Sequence, residues 1–360
     1  MEAFHCKTII IAGRNAVQTL KNYHIKRLFL VCDPFFEENG TAKQIIAAAE
    51  AIEHQIFSQI VPDPSVTLAA QGAALLQQWK PDAVIALGGG STMDCAKAMT
   101  YFSGSRPMFI AIPTTSGSGS EVTDFAILTH DGVKHPLVDD SLKPDIAILD
   151  ENLVRSLPTA LVADGGFDLI SHAVEAYVAT NSSHISDLLA ADAFSTAMDE
   201  LLPSYRGDIT KRGTVHLAAT MAGIAFSQAG LGLCHALAHS FGGTFHTPHG
   251  RLNAIFLPAV IEANAVSCGT KYARLARKAG LSSGSDAMAL RALKNAIIRL
   301  RRSLQLPETL AQAGIDLKLL SEKSDELIKA TLEDPCCKTN PIQPGKEIIQ
   351  RMIVEVAGCG

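Results

Sequence analysis

A doubly wound α/β half followed by an all-helical half is the architecture this 360-residue sequence predicts, on three observations. The length exceeds one ordinary core. Up to about residue 150, short apolar runs alternate with helix-like stretches, the pattern of a parallel sheet. After Leu149 the period changes, and from Ala160 onward nearly every segment repeats with helical spacing.

In order, the strand candidates are Lys7–Ala12, Arg27–Cys32, Gln55–Ile60, Ala83–Leu87, Met108–Ile112 and Ile146–Leu149. Helices are expected between several of them, including Ala42–His54 and Thr67–Trp79. Phe125–Leu128 and Val133–Pro136 flank His130-Asp131-Gly132 and read as a hairpin. In the second half, Phe167–Val178, Ile185–Leu202, Val215–Ser227, Tyr272–Ala279, Ala287–Ser303 and Lys346–Val356 read as helices. The domains are therefore set at 1–155 and 156–360, with the boundary within Asp150–Pro158.

Composition narrows the function. Hydrophobic residues are 47% and charged residues 19%, a globular balance with ample core material. A net charge of -5 offers no footprint for nucleic acid or a membrane surface. No apolar run approaches a membrane span, and the start lacks the pattern of a secretory signal. Eight scattered cysteines without CxxC pairs, the adjacent Cys336 and Cys337 and the terminal Cys359 among them, predict free thiols in a reducing cytoplasm.

Two loops carry phosphate-binding chemistry. The strand ending at Leu87 runs into Gly88-Gly89-Gly90-Ser91-Thr-Met-Asp94-Cys-Ala-Lys97. A strand, a glycine cluster and a helix start aim backbone N–H groups at a phosphate, and a Cβ would hold the phosphate away. The run fits neither GxGxxG nor the P-loop pattern, so by itself it also fits a tight turn. A second loop, Pro113-Thr114-Thr115-Ser-Gly-Ser-Gly119-Ser-Glu121, follows the next strand. Ligands of open α/β sheets bind beyond the carboxyl ends of strands, which favours pairing these loops. Asp33, ending another strand, suits the ribose hydroxyls of NAD(H) and would repel a 2′-phosphate, although it equally opens the Asp33-Pro34 turn.

The helical half holds a metal-ligand constellation. Asp168 and His172 sit one turn apart on one helix face, and His235, His239, His246 and His249 fall within fifteen residues. Spacing alone does not say which imidazoles bind. Three imidazoles and one carboxylate would leave a divalent ion with residual charge to act on a substrate oxygen. Such an ion beside a nicotinamide would promote hydride transfer at a cleft between the halves.

These motifs, with Asp168-Leu-Ile-Ser-His172-Ala-Val-Glu175, His235-Ala-Leu-Ala-His239, Pro248-His249-Gly250 and Thr339-Asn-Pro341, resemble the iron-containing (group III) alcohol dehydrogenases along essentially the whole chain. The resemblance implies a dehydroquinate synthase-like fold: a Rossmann-like nucleotide-binding domain and an all-helical metal-binding domain. It puts the metal ligands on Asp168, His172, His235 and His249, and dinucleotide contacts on Asp33, Gly89, Gly90, Ser91, Thr114, Thr115 and Lys134, which Gly88 joins as the first glycine of the run. Asp94 and Lys97 are expected to build the phosphate loop. His239 is expected near the nicotinamide as proton relay, cofactor contact or packing residue. The family implies Fe2+, and the donor set alone accepts Zn2+ as well.

Ala225–Leu233 looks most like propanol dehydrogenases of propanediol-utilising bacteria and their relatives in ethanolamine breakdown. That implies NADH-linked interconversion of short primary alcohols and aldehydes, such as propanal and 1-propanol. It also implies a homodimer in the cytoplasm, sometimes inside a bacterial microcompartment. Arg251 after His249-Gly250, and Gly165-Gly-Phe167 before Asp168, depart from the family's usual residues. A metal- and NAD-dependent lyase or cyclase of the dehydroquinate synthase type is the alternative enzyme, and a non-catalytic microcompartment component the alternative class.

Overall fold

The computed structural model describes residues 4–130 and 133–358. The expected hairpin turn at Asp131-Gly132 and the thiol of Cys359 lie outside the described residues. The chain forms two compact units, one of Cys6–Leu157 and one of Pro158–Gly360 together with Phe4 and His5, so these two residues leave the domain expected over 1–155.

In the first unit, β1 (Ile9–Gly13) leads through a 3-10 helix to β2 (Arg27–Cys32). Then come α1 (Pro34–Glu38), α2 (Thr41–Ala49), β3 (Glu53–Phe57), α3 (Val66–Trp79), β4 (Ala83–Gly88), α4 (Gly90–Ser103) and β5 (Met108–Pro113). The hairpin of β6 (Phe125–His130) and β7 (Val133–Val138) precedes β8 (Ile146–Asp150) and α5 (Glu151–Val154). Six strands form one all-parallel sheet in the order β1-β8-β5-β4-β2-β3. Its central strands are buried on both faces, as parallel sheets require. Along β4, Ala83, Ile85 and Leu87 enter one apolar cluster, and Val84 and Ala86 enter the other.

One expectation shifts here. The helix expected to reach His54 ends at Ala49, because Glu50 is left-handed (φ 50°), and β3 begins at Glu53. β3 is an edge strand whose first three residues are exposed, so the strand expected over Gln55–Ile60 starts two residues earlier, at Glu53, and ends at Phe57.

The strand order reverses between β2 and β4: the chain leaves β3 on the outside of β2 and returns to pair β4 on its other side. Such a switch point opens a crevice at the strands' carboxyl ends.

The second unit is helical throughout its described residues: α6 (Thr159–Val178), α7 (His184–Tyr205), α8 (Ile209–Ala229), α9 (Leu233–Phe245), α10 (His249–Lys278), α11 (Asp286–Ser303), α12 (Leu317–Glu333) and α13 (Lys346–Ala357). The helix expected over Tyr272–Ala279 is only the end of α10, which holds a proline, ordinarily a helix-breaking residue, in its interior. The helix instead runs through Pro258 and bends at Cys268 (φ −124°, ψ 22°). Contrary to the expectation from apolar runs, α10 is long and apolar enough by composition to cross a membrane. Its apolar stretch is mostly buried within the fold, which is the pattern of a core helix.

Sixteen of the twenty residues of α6 are buried, Asp168, His172 and Glu175 among them. A helix polar on a buried face must satisfy those groups internally.

Candidate functional site

The first unit gathers the phosphate-loop residues at the switch point. Cys32 is in register with Leu87, and Gly88 with Pro113. Asp33, Gly88–Gly90 and Thr114–Thr115 therefore leave three adjacent strands side by side. Thr114 N donates to Gly88 O at 2.9 Å, tying the two loops together. α4 starts at Gly90 behind Gly89, a cap residue with no side chain to bond the first N–H groups, which is the form of helix start that suits an anion. Ser91 stands in that first turn. A Cβ at Gly89 would come 3.2 Å from Thr115, and one at Gly90 would come 3.3 Å from Ser118, so glycine lets the loops close on each other.

Other predicted contacts have structural partners. The Asp33 carboxylate accepts from Phe35 N at 2.8 Å and caps α1, the turn-opening role weighed from sequence. Lys134 pairs with Asp63 at 2.8 Å. Asp94 turns inward: its oxygens accept from Ser120 Oγ at 2.8 Å and Ile127 N at 3.1 Å, so it braces the loop from below. Lys97, 1% exposed, donates to Ser120 Oγ, Thr123 Oγ1 and Phe125 O at 2.9–3.0 Å. Burial pushes the Lys97 ammonium down to about 8, against the pull of Asp94, Glu121 and Asp124.

The second unit assembles the other site from three helices. α6 supplies Asp168 and His172, α9 supplies His235 and His239, and α10 opens with His249. The Nε2 atoms of His249, His235 and His172 lie 3.5, 3.7 and 3.9 Å from one oxygen, Asp168 Oδ1. These distances are too long for hydrogen bonds. They match the edge of a tetrahedron of ligands about 2.1 Å from one cation, which is about 3.4 Å. Asp168, His235 and His249 form the tightest set, all within 4.8 Å of one another. His172 lies outside that set, its ring stacked between those of His235 and Phe226 at 4.4 and 4.3 Å. The donor set fits a divalent metal.

Charge agrees with that fit. Burial would raise Asp168, but the imidazoles of His172, His249 and His235 hold it well below the usual carboxylate range. Burial also pushes His249 down. His235 is pulled the other way, to about 9, because Asp168 and Glu175 outweigh its desolvation.

Glu175 had no role assigned from the sequence. It is 2% exposed and accepts from Gly232 N at 3.0 Å, Cys234 N at 2.7 Å and His235 Nδ1 at 2.6 Å. One carboxylate thereby caps α9 and turns His235 Nε2 toward Asp168. Asn340 shares the capping through Leu233 N at 3.1 Å. A Cβ at Gly232 would fall 2.7 Å from Asn340 Oδ1 and 2.8 Å from Glu175 Oε1, so glycine is required there. Asn253, one turn after His249, donates to Asp168 Oδ1 at 2.9 Å. Spacing could have flagged both: Glu175 is three residues past His172, and Asn253 four past His249.

The remaining residues sort as follows. His239 stacks on His249, centroids 5.2 Å apart, and its Nδ1 meets Asp334 Oδ2 at 2.9 Å. His246 is exposed and left-handed (φ 53°), serving only the turn into α10. Arg251 forms a two-pronged pair with Asp164 at 2.9 and 3.2 Å, which neutralises the charge that departed from the family pattern. At Gly250 a Cβ would meet Asp164 O at 1.8 Å, so glycine alone lets α10 begin against α6. Burial pushes the Cys336 thiol well up, as it does that of Cys234.

Comparison with known proteins agrees over both units. The iron-containing alcohol dehydrogenase family matches residues 7–151, and its C-terminal region matches residues 162–356. The chain is 38% identical to 1-propanol dehydrogenase PduQ of Citrobacter freundii over 369 residues, covering 99% of this chain and 100% of that protein. It is 35% identical to the NADPH-dependent butanol dehydrogenase of Clostridium saccharobutylicum, over 95% of each chain. Among solved structures, the iron-containing alcohol dehydrogenase of Thermococcus thioreducens superposes with a TM-score of 0.91 at 31% identity, covering 99% of this chain and 100% of that one. With the parallel sheet, the helical unit and the Asp168-centred donors, these likenesses lead to one conclusion: the chain belongs to the iron-containing alcohol dehydrogenase family.

Proposed function

We propose that the chain interconverts short primary alcohols and aldehydes, propanal and 1-propanol foremost, using NAD(H) and one divalent metal held by Asp168, His172, His235 and His249. The observation that carries this reading is the convergence of three imidazole nitrogens on one Asp168 oxygen at 3.5–3.9 Å. Membership of an alcohol dehydrogenase family sets the reaction class, and the likeness to a 1-propanol and a butanol dehydrogenase supports the chain length.

When bound, the metal supplies Lewis acidity toward the substrate oxygen, and the dinucleotide supplies or accepts the hydride. Asp168 contributes the single negative charge, so the donor set leaves the cation partly uncompensated. Glu175 keeps the His235 proton on Nδ1, and Asn253 orients Asp168. Gly88, Gly89, Gly90, Ser91, Thr114 and Thr115 hold the dinucleotide, with Asp94 bracing the loop and Lys134 at its flank. Asp33 favours NADH over NADPH, since its carboxylate would face a 2′-phosphate. His239, fixed by Asp334, exchanges the substrate proton through Nε2. Fe2+ is the metal the family implies, and Zn2+ suits the same donors. A cytoplasmic homodimer, with residence in a microcompartment, completes the reading; gel filtration and cell fractionation test these two points.

The test is NADH oxidation by propanal with Fe2+ or Zn2+ added. The wild type consumes NADH, and His249→Ala loses both turnover and metal retention. Turnover undiminished in His249→Ala removes the proposed centre. Substrate turnover without net NADH consumption favours the lyase reading, and a metal-reconstituted wild type with no turnover favours a non-catalytic component.

A further inference from the structure

A second cluster of donors adjoins the first. His239 Nδ1 lies 2.9 Å from Asp334 Oδ2, and with Cys336 these residues each offer one donor atom to a set lying within 4.8 Å of one another. The set is built rather than incidental. Asp334 caps the 3-10 turn Pro335–Thr339, its Oδ1 accepting from Cys336 N at 2.8 Å, so carboxylate and thiol are folded to one side. The His239 and Asp334 side chains are 25% and 14% exposed, which leaves a cation from solvent a route in. The donors are one nitrogen, one oxygen and one sulfur. Sulfur discourages Mg2+ and Ca2+ and selects borderline and soft ions such as Zn2+, Co2+ and Cd2+.

We propose that His239, Asp334 and Cys336 form a second cation site, for a thiophilic divalent ion, whose filling inhibits the enzyme. Binding is balanced in charge and protons. The Cys336 thiol releases its proton to solvent as sulfur bonds the ion, and with Asp334 the two anions neutralise the dication. The His239 Nδ1–H that donates to Asp334 moves to Nε2, freeing the Nδ1 lone pair. His239 Nε2 thereby changes from acceptor to donor. Inhibition rests on the relay role proposed for His239, whereas the site itself does not.

The test uses the whole protein carrying one equivalent of Co2+, titrated with more Co2+, with equilibrium dialysis against Zn2+ alongside. Two equivalents are expected, the second bringing a near-ultraviolet sulfur-to-cobalt charge-transfer band and the release of one proton. Turnover should fall about 100-fold as the second equivalent binds, the size of a lost proton-transfer group. Cys336→Ser and Cys336→Ala should each bind one equivalent and show no band, with thermal unfolding reporting that they are folded. His249→Ala should lose the first equivalent and keep the band, which separates failure of the primary centre from failure of this site. Saturation of the wild type at one equivalent, or a band that survives both Cys336 variants, overturns the site. Full turnover with two equivalents bound overturns the inhibition.

Discussion

The two units build their candidate sites from opposite materials. At the end of β4 the binding groups are backbone: N–H donors of the α4 start, brought close by Gly88–Gly90. Around Asp168 they are side chains from α6, α9 and α10, held by buried carboxylate and amide groups. A backbone site tolerates many side-chain changes but few added Cβ atoms. A side-chain site tolerates neither the loss of a ligand nor the loss of the group behind it. Three substitutions or titrations sharpen this contrast.

The largest effect is expected from Glu175→Gln. The amide has roughly the same volume but cannot accept from His235 Nδ1 with a full charge, and its NH2 faces backbone donors. Metal affinity should fall by about 10–100-fold, the usual scale for a group orienting a ligand imidazole. Metal content after dialysis measures it, while NADH affinity by fluorescence should stay unchanged. A parallel loss of NADH affinity would break the separation drawn between the two sites.

Gly89→Ala is the mirror experiment. The new Cβ sits 3.2 Å from Thr115 and must push that loop by a few tenths of an ångström. NADH affinity should weaken by about tenfold, or about 1.4 kcal/mol, with metal content intact. An alanine variant that binds NADH as well as the wild type would show that the loops need no close approach.

The smallest effect concerns the brace beneath the phosphate loop. Burial pushes Lys97 down to about 8 from an ordinary 10.5. Between those values the unfolded chain holds a proton that the folded chain has released. Stability from this group therefore rises as pH increases through that window. Denaturant unfolding from pH 8 to 10.5 should show the rise, and Lys97→Met should flatten it. An unchanged slope in the variant would remove Lys97 as its source.

Legibility differed between the two sites for the same reason as their construction. The phosphate loop is contiguous, so Gly88–Gly90 after an apolar run announced strand, turn and helix together. The shared helical face of Asp168 and His172 and the clustered imidazoles marked the region, but the four candidate ligands were named by the family resemblance, since spacing could not exclude His246, which is exposed in the structure. The groups that hold His235 and His239 were less visible. Asp334 lies 95 residues from His239 and Glu175 lies 60 from His235, and local periodicity carries no information across such gaps.

The order of strands and helices, the buried character of β4 and the chemistry available to the two halves follow from period, composition and motif, which are local properties of the chain. Which imidazoles converge on Asp168, which nitrogen of His235 faces it, and the pairing of Arg251 with Asp164 were decided only when α6, α9 and α10 packed together. Burial removes water as the alternative partner, so each polar group there must take whichever group the packing brings within reach.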